Sequence, residues 1–235
     1  MSDPREPYRY AFESVAERYE RARPPYADEA VAWVAERLGI GPGSRVLDLG
    51  AGTGKLTRQL LALGADVVAV EPGDEMRGVL QRVLPQVETL AGTAEAIPLA
   101  HASVDAITVG QAFHWFERDA ALAEMRRVLR PGRGFALLWN RWDETDPLLN
   151  AVGWLLDSVR LQIEEPRDYG GPAEERMFHQ RRRLSVDRIV EWASSTSGWV
   201  NASPQEQERL EREIRRLAED YEGEASIATL AVVVS

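Results

Sequence analysis

The chain has 235 residues, of which 44% are hydrophobic and 28% are charged, a composition typical of a folded globular protein rather than a disordered one. Its net charge of −10 argues against avid non-specific binding to nucleic acid or to an anionic membrane. It contains no cysteine, which excludes disulfides, zinc–thiolate sites and thiol catalysis.

Length and hydropathy predict a single cytoplasmic domain over residues 1–235. The chain is long enough to bury the core of a large α/β sheet. Its first residues lack the apolar segment of a secretory signal, and no apolar run approaches the roughly 18 residues of a membrane-spanning helix. We therefore expect neither a membrane nor a nucleic acid as partner, and we predict no metal site.

Residues 1–40 are predicted to form N-terminal cap helices ahead of the first strand. The first helical segment should end before Pro24-Pro25, because a residue that precedes proline favours extended conformations. Asp28 is the predicted N-cap of the next helix, and Gly39 is its predicted end.

Residues 45–57, RVLDLGAGTGKLT, are predicted to form a strand, a glycine turn and the start of a helix. Such a turn lets a ligand approach the main chain, and the N–H groups at the start of the helix can bind its polar atoms. A phosphate-binding P-loop would need glycine in place of Leu49. A dinucleotide fingerprint would need glycine in place of Lys55, so both of these alternatives fail.

The second strand is predicted at Val67–Val70, an apolar run bounded by Gly64 and Pro72. Continuous apolar runs of this length are typical of strands buried on both faces. Glu71 follows at the strand's carboxyl end, where an acidic side chain can accept hydrogen bonds from both hydroxyls of a ribose. A helix-capping role is the alternative for Glu71.

The pattern Asp48-x-Gly50-x-Gly52-x-Gly54, followed by Val67–Glu71, resembles motif I and the acidic second-strand end of class I S-adenosylmethionine (SAM) dependent methyltransferases. The resemblance implies SAM as cofactor and S-adenosylhomocysteine (SAH) as product. It also implies a doubly wound, seven-stranded Rossmann-like sheet of order 3-2-1-4-5-7-6 with strand 7 antiparallel. The residues that it assigns to the cofactor in this region are Asp48, Gly50, Ala51, Gly52, Glu71 and Pro72.

The N-terminal segment resembles that of one methyltransferase subgroup, in which a tyrosine and an Arg-Pro pair fold back over the cofactor. The resemblance assigns Tyr19 and Arg23 to the methionine end of SAM, with Arg23 bonded to its carboxylate. The alternative is a surface helix with aromatic anchors.

The loop at residues 92–98, GTAEAIP, resembles the adenine-side loop of the same family. The implied adenine-side residues are Thr93, Ala94 and Glu95. Many members carry aspartate where this chain has Thr93, and a hydroxyl accepts from the adenine amino group less strongly than a carboxylate does. Backbone groups of Thr93 and Ala94 are the alternative donors and acceptors.

The fourth strand is predicted at Val104–Val109 and is followed by QAFHWF at residues 111–116. Ligands of open α/β sheets bind at the carboxyl ends of the strands, so methyl transfer should occur here. The string resembles the Gln-Ala-x-His-Trp pattern of the type 11, trans-aconitate methyltransferase-like subgroup. That resemblance places Gln111 at the cofactor and His114 at the acceptor, as a base if the acceptor must lose a proton. Glu117 and Asp143 are alternative bases, and a structural histidine is the other interpretation of His114.

Residues 142–177, after the fifth strand, are predicted to be a lid-like insertion, with a plain connecting helix as the alternative. The sixth strand is predicted at Phe178–Leu184, and its arginines Arg181–Arg183 indicate either a solvated face or a site for an acidic acceptor. The seventh strand is predicted at Ile227–Val234.

The expected function is methyl transfer from SAM to a small-molecule acceptor, such as a carboxylate or hydroxyl metabolite, by a monomer or homodimer. Two alternatives stay open. One is a SAM-binding protein without catalytic activity, and the other is an RNA or protein methyltransferase, which would want a basic groove that this sequence does not show.

Overall fold

The computed structural model describes residues 15–158, 168–219, 221 and 224–235. Contacts divide the chain into two compact units. In the described residues, the larger unit contains residues 25–139, 168–178 and 229–235, and the smaller unit contains residues 15–24, 140–158, 179–219, 221 and 224–228. Residues 1–14 of the predicted N-terminal helices lie outside this description.

Seven strands form one mixed sheet of order β3-β2-β1-β4-β5-β7-β6, which confirms the predicted Rossmann-like fold and its strand order. The neighbouring pairs β1–β2, β1–β4, β2–β3 and β4–β5 are parallel. The strands are β1 Arg45–Leu49, β2 Asp66–Val70, β3 Glu88–Leu90, β4 Ala106–Gly110, β5 Phe135–Trp142, β6 Ala173–Arg183 and β7 Glu224–Val234.

Helices alternate with the strands of the larger unit and make up most of the described part of the smaller one. They are α1 Ala16–Ala22, α2 Asp28–Leu38, α3 Lys55–Ala62, α4 Asp74–Val83, α5 Arg118–Val128, α6 Pro147–Asp157, α7 Val186–Ser194, α8 Ser197–Val200 and α9 Pro204–Leu217. Among the described residues, no helix combines the length and hydropathy that a membrane crossing requires.

The start of α2 differs from the prediction by one residue. Ala27, not Asp28, is the N-cap, and it makes no side-chain capping bond. Asp28 lies in the first turn, where its negative charge interacts favourably with the helix dipole. Its carboxylate accepts a hydrogen bond from the Gln59 amide at 3.0 Å instead. The predicted end is confirmed, because Gly39 closes α2 in the left-handed conformation.

The core of the larger unit explains the apolar runs of its strands. Val46 of β1 belongs to an apolar cluster with residues of α2 and α3. The next residue, Leu47, belongs to a second cluster with residues of α5. Side chains alternate along a strand, so helices that cover both faces require apolar residues at successive positions.

The strand order reverses between β1 and β4. From β1 the chain proceeds outward through β2 and β3, and it then returns to β4 on the other side of β1. Asp48 of β1 lies opposite Thr108 of β4, so the two strands end at the same edge of the sheet. In open α/β sheets, ligands bind in the crevice at this point.

The smaller unit has its own apolar cluster, built from α6, α7 and α9. Within it the rings of Trp142 and Trp192 stack with centroids 3.8 Å apart. Ser185 accepts a hydrogen bond from the Arg188 amide and is the N-cap of α7.

The predicted lid region contains α6 and the first residues of β6. Residues 159–167 lie outside the described part of the chain, and the lid role stays a prediction. β6 begins at Ala173, five residues before the predicted start at Phe178. The sequence prediction missed these residues because they are charged and exposed and show no apolar alternation.

Candidate functional site

The glycine turn follows β1 in the larger unit. Gly50, Gly52 and Gly54 all have positive φ, at 69°, 58° and 87°. A side-chain carbon at Gly50 would lie 2.7 Å from Cβ of Ala112, so packing requires glycine there. At Gly52, no atom of the described residues lies within 4 Å of that position. Gly52 is therefore where a ligand can reach the main chain of the turn.

Asp48 lies beneath the turn and is almost fully buried. Its two carboxylate oxygens accept from the hydroxyls of Thr57, at 2.5 Å, and Thr108, at 3.1 Å. Burial raises the pKa of Asp48 to about 6, although hydrogen bonds from both threonines oppose this shift. Asp48 thus ties β1 to β4 and to the first turn of α3, which positions the glycine turn.

Glu71 is bonded to the glycine turn itself. Its Oε2 accepts from the Gly52 amide at 2.8 Å, and its Oε1 accepts from the Gly73 amide at 3.0 Å. Gly73 is the N-cap residue of α4, so its bond to Glu71 is the one expected if Glu71 caps a helix. Glu71 makes this bond in addition to its bond with Gly52 of the turn. A carboxylate oxygen can accept more than one hydrogen bond, so this is the type of acceptor that ribose hydroxyls can use.

Ala51 and Pro72 lie in the two loops that Glu71 connects. The Ala51 amide donates to the Val70 carbonyl at 3.1 Å, and the Ala51 carbonyl accepts from the Gly54 amide at 2.9 Å. The Pro72 carbonyl accepts from the Arg77 guanidinium at 3.1 Å. Backbone bonds therefore hold the Ala51 loop, and the Arg77 side chain holds the Pro72 loop, at the carboxyl ends of β1 and β2.

The predicted adenine-side loop follows β3. Thr93 pairs with Ala96 in an isolated antiparallel bridge, and Ala94 is buried. Glu95 Oε1 accepts from the backbone amide of Glu117 at 2.8 Å, immediately before α5. Glu95 thus connects this loop to the segment after β4, and its described contact is a positioning one.

The chain leaves β4 in a strained conformation. Gln111 has φ 57°, and its amide donates to the Leu138 carbonyl at 2.9 Å. A left-handed conformation costs an ordinary residue roughly 1–2 kcal/mol, and such strain concentrates at functional sites. The 3₁₀ turn Phe113–Trp115 follows and carries a half-buried His114, whose ring centroid lies 4.7 Å from that of Trp115.

Tyr26 is a site residue that the sequence interpretation missed. A side-chain carbon at Gly110 would lie 2.5 Å from the Tyr26 hydroxyl, so this hydroxyl rests against the last residue of β4. The Gln59 side chain bonds both the amide and the carbonyl of Tyr26, at 3.2 and 3.0 Å. The only sequence signal was the glycine at the strand's end.

Tyr19 and Arg23 lie together in the smaller unit. The Arg23 guanidinium carbon is 5.2 Å from the centroid of the Tyr19 ring, and Nη2 donates to the Ser195 carbonyl at 2.9 Å. These contacts hold both side chains in place. Their role at the methionine end of SAM stays a prediction.

Asp143, one of the alternative bases, is the centre of a hydrogen-bonded cluster in the smaller unit. It accepts from the hydroxyls of Ser226 and Thr145 and from the Thr145 amide, and its Oδ2 lies 2.7 Å from His179 Nδ1. Burial alone would raise the pKa of Asp143, but these bonds outweigh burial and hold it well below its usual range. A carboxylate that stays ionised is a poor proton acceptor, which disfavours Asp143 as a base.

Comparison with known proteins gives consistent matches. Residues 47–137 match the family described as a methyltransferase domain. An uncharacterized methyltransferase of Mycobacterium tuberculosis is 37% identical over 226 residues, which cover 94% of this chain and 91% of that protein.

Two solved structures share the fold at low identity. A protein from Anabaena variabilis, named as a methyltransferase of an antibiotic biosynthesis pathway, matches with a TM-score of 0.69 and 23% identity over 88% of this chain and 96% of its own. Geranyl diphosphate C-methyltransferase from Streptomyces coelicolor, solved with SAH, matches with a TM-score of 0.52 and 12% identity over 88% of this chain and 78% of its own.

Proposed function

Because this chain belongs to the class I SAM-dependent methyltransferases, we propose that it binds SAM at the glycine turn and methylates a small-molecule acceptor, with release of SAH. The observation that carries the proposal is the pairing of Gly52 with Glu71. Among the described residues, nothing lies within 4 Å of a side-chain carbon added at Gly52, and the carboxylate that accepts from the Gly52 amide is the acceptor type that ribose hydroxyls need.

The residues present fit the cofactor. Glu71 would accept from the ribose hydroxyls, Thr93 and Ala94 would border the adenine, and Gln111 would border the cofactor at the end of β4. Asp48, Glu95, Ala51 and Pro72 would act by positioning these loops. SAM supplies a methyl group on a sulfonium, which an acceptor atom displaces in line, so the chain's task is to align the two and exclude water.

A carboxylate or hydroxyl metabolite is the proposed acceptor class. The net charge of −10 disfavours a polyanionic substrate, which supports a small molecule over RNA. A hydroxyl acceptor must lose a proton, and His114 is the proposed base because it follows β4 directly, at the strand end where such sheets hold their ligands. A cytoplasmic location also stays a prediction.

The first test is binding. Calorimetry should show that SAM and SAH bind and that NAD does not bind comparably; NAD as tight as SAM would overturn the proposal. Gly52→Val should abolish SAM binding, because the branched side chain would fill the ligand's approach. Gly132→Val is the matched control, since Gly132 also has positive φ, 73°, and nothing within 4 Å of an added carbon. Equal loss of SAM binding in both variants would show that backbone strain, and not a side chain in the ligand's approach, causes the loss.

The second test is transfer. A metabolite panel incubated with radiolabelled SAM should yield at least one methylated product, and Gly52→Val should abolish its formation. Tight SAM binding with no product from any member would favour the alternative, a SAM-binding protein without catalytic activity.

A further inference from the structure

β6 is the terminal strand of the sheet beyond β7, and no residue in the described ranges pairs with its outer edge. It has 11 residues, and all except Phe178 and Gln180 are exposed. A long exposed edge is a template for pairing with another strand, and natural proteins usually block such edges with charges. The arrangement of the charges on β6 therefore decides what it can bind.

The carboxylates of β6 lie near its start, where Arg176 follows them, whereas its end carries only basic side chains. Glu174 and Glu175 lie near its start, and Arg181–Arg183 end it. Within the described part of the chain, Glu175, Arg181 and Arg183 form no ion pair, whereas Glu174 is bonded to Arg37 at 3.0 Å. A parallel neighbour of the same sequence would be repelled, but an antiparallel one would bring opposite charges together.

We propose that a second copy of this chain pairs with β6 edge to edge, antiparallel, about a two-fold axis at Phe178. In this register Glu175 lies opposite Arg181 of the second copy, and Glu174 lies opposite Arg182. Symmetry repeats both pairs, and all 11 residues of each strand are matched. Opposite charges directly across an antiparallel pair stabilise it.

The charges select this register over its neighbours. In an antiparallel pair, residues directly opposite each other point to the same face of the sheet. A two-fold axis perpendicular to the sheet must therefore lie at a residue and not between two residues, so the neighbouring registers have the axis at Met177 or at His179. With the axis at Met177, Glu175 would face His179 and lose its arginine. With the axis at His179, Arg176 would face Arg182, and like charges directly opposite are destabilising.

The pairing also covers an exposed apolar side chain. Met177 is 41% exposed, although it is large and hydrophobic. In the proposed register it lies opposite His179 of the second copy, between the two Glu175–Arg181 pairs. The dimer therefore gains apolar burial in the middle of a charged strand.

Charge reversal tests the register. A one-strand interface is small, so sedimentation velocity of the full chain from about 1 µM to about 500 µM should cover its dissociation constant. The wild type should dimerise, and 0.5 M NaCl should weaken the dimer by screening. Glu175→Arg and Arg181→Glu should each weaken it at least about tenfold. The double variant Glu175→Arg/Arg181→Glu should restore it, because the pairs are re-formed with exchanged signs.

Three results would overturn the proposal: a wild type that stays monomeric, a dimer insensitive to the single reversals, or a double variant that is not restored. Circular dichroism and thermal midpoints confirm that each variant is folded, and the salt dependence of the wild type tests the charges without any substitution. If the wild type is instead monomeric and binds heparin, and Arg181→Glu abolishes that binding, β6 is a surface for an acidic partner.

Discussion

The larger and the smaller unit each contain an almost fully buried aspartate, and the two carboxylates differ in the direction of their pKa shifts. Asp48 accepts from the hydroxyls of Thr57 and Thr108 and from the Thr57 amide, and burial raises its pKa to about 6. Asp143 has hydroxyl, amide and imidazole partners, and its pKa is lowered. For Asp48 the effect of burial outweighs the hydrogen bonds, whereas for Asp143 the hydrogen bonds outweigh burial.

The surroundings of the two aspartates differ in the same way. Around Asp48 the structure contains open space at Gly52 and backbone strain at Gln111. Around Asp143 the polar groups are bonded to one another. The comparison predicts that substitutions in the loops after β1, β2 and β4 change binding and turnover, whereas substitutions of the two aspartates change the pH dependence of stability.

The largest expected effect is on turnover. If His114 is the base, His114→Ala should lower turnover about 10²–10⁴-fold, with little change in SAM affinity or thermal midpoint. His101→Ala is the matched control, because His101 is exposed in the same unit. Turnover and midpoint should be measured on the same preparations. A lowered midpoint with unchanged turnover would make His114 a structural residue and weaken the comparison.

The next effect concerns the pH dependence of stability. The folded pKa of Asp48, about 6, lies above its ordinary value of 3.8, so its contribution to stability is full below about 3.8 and is lost as pH rises through 6. The loss should be about 3 kcal/mol. Asp48→Asn should remove this decline, measured as the free energy of unfolding in urea between pH 4 and pH 7.

The contribution of Asp143 to stability should change with pH in the opposite direction to that of Asp48. Because its pKa is lowered on folding, its contribution is present above the ordinary range of aspartate and is lost as pH falls through the folded value. Asp143→Asn should therefore destabilise the protein more at pH 5 than at pH 3. If the effects of the two substitutions on stability changed with pH in the same direction, the comparison would be contradicted.

The smallest of the three effects is on affinity. Glu71→Ala should weaken SAM binding by about 1.5–3 kcal/mol, the contribution of hydrogen bonds to a charged group. Glu71→Gln keeps one acceptor oxygen, so calorimetry should place it between wild type and Glu71→Ala. Unchanged affinity in Glu71→Ala would leave Glu71 with a capping role at α4 and a positioning role in the turn, and would remove it from the cofactor site.

The strength of the local signals determined how much of the structure could be predicted from the sequence. Apolar runs and the spacing of the glycines predicted β1, β2 and the turn, because buried parallel strands and tight turns restrict residue type locally. The first half of β6 could not be predicted, since an exposed edge strand places no such restriction on its side chains. Tyr26 and His179 were missed because their partners, Gly110 and Asp143, are distant in sequence.

The bond between Glu71 and the Gly52 amide has a consequence for the entropy of binding. Because folding already fixes the turn through this carboxylate, an incoming nucleoside does not have to order the turn itself. The site is preorganised, and little conformational freedom remains there to be lost. The Gly52 amide should accordingly be slow in hydrogen exchange before any ligand is added.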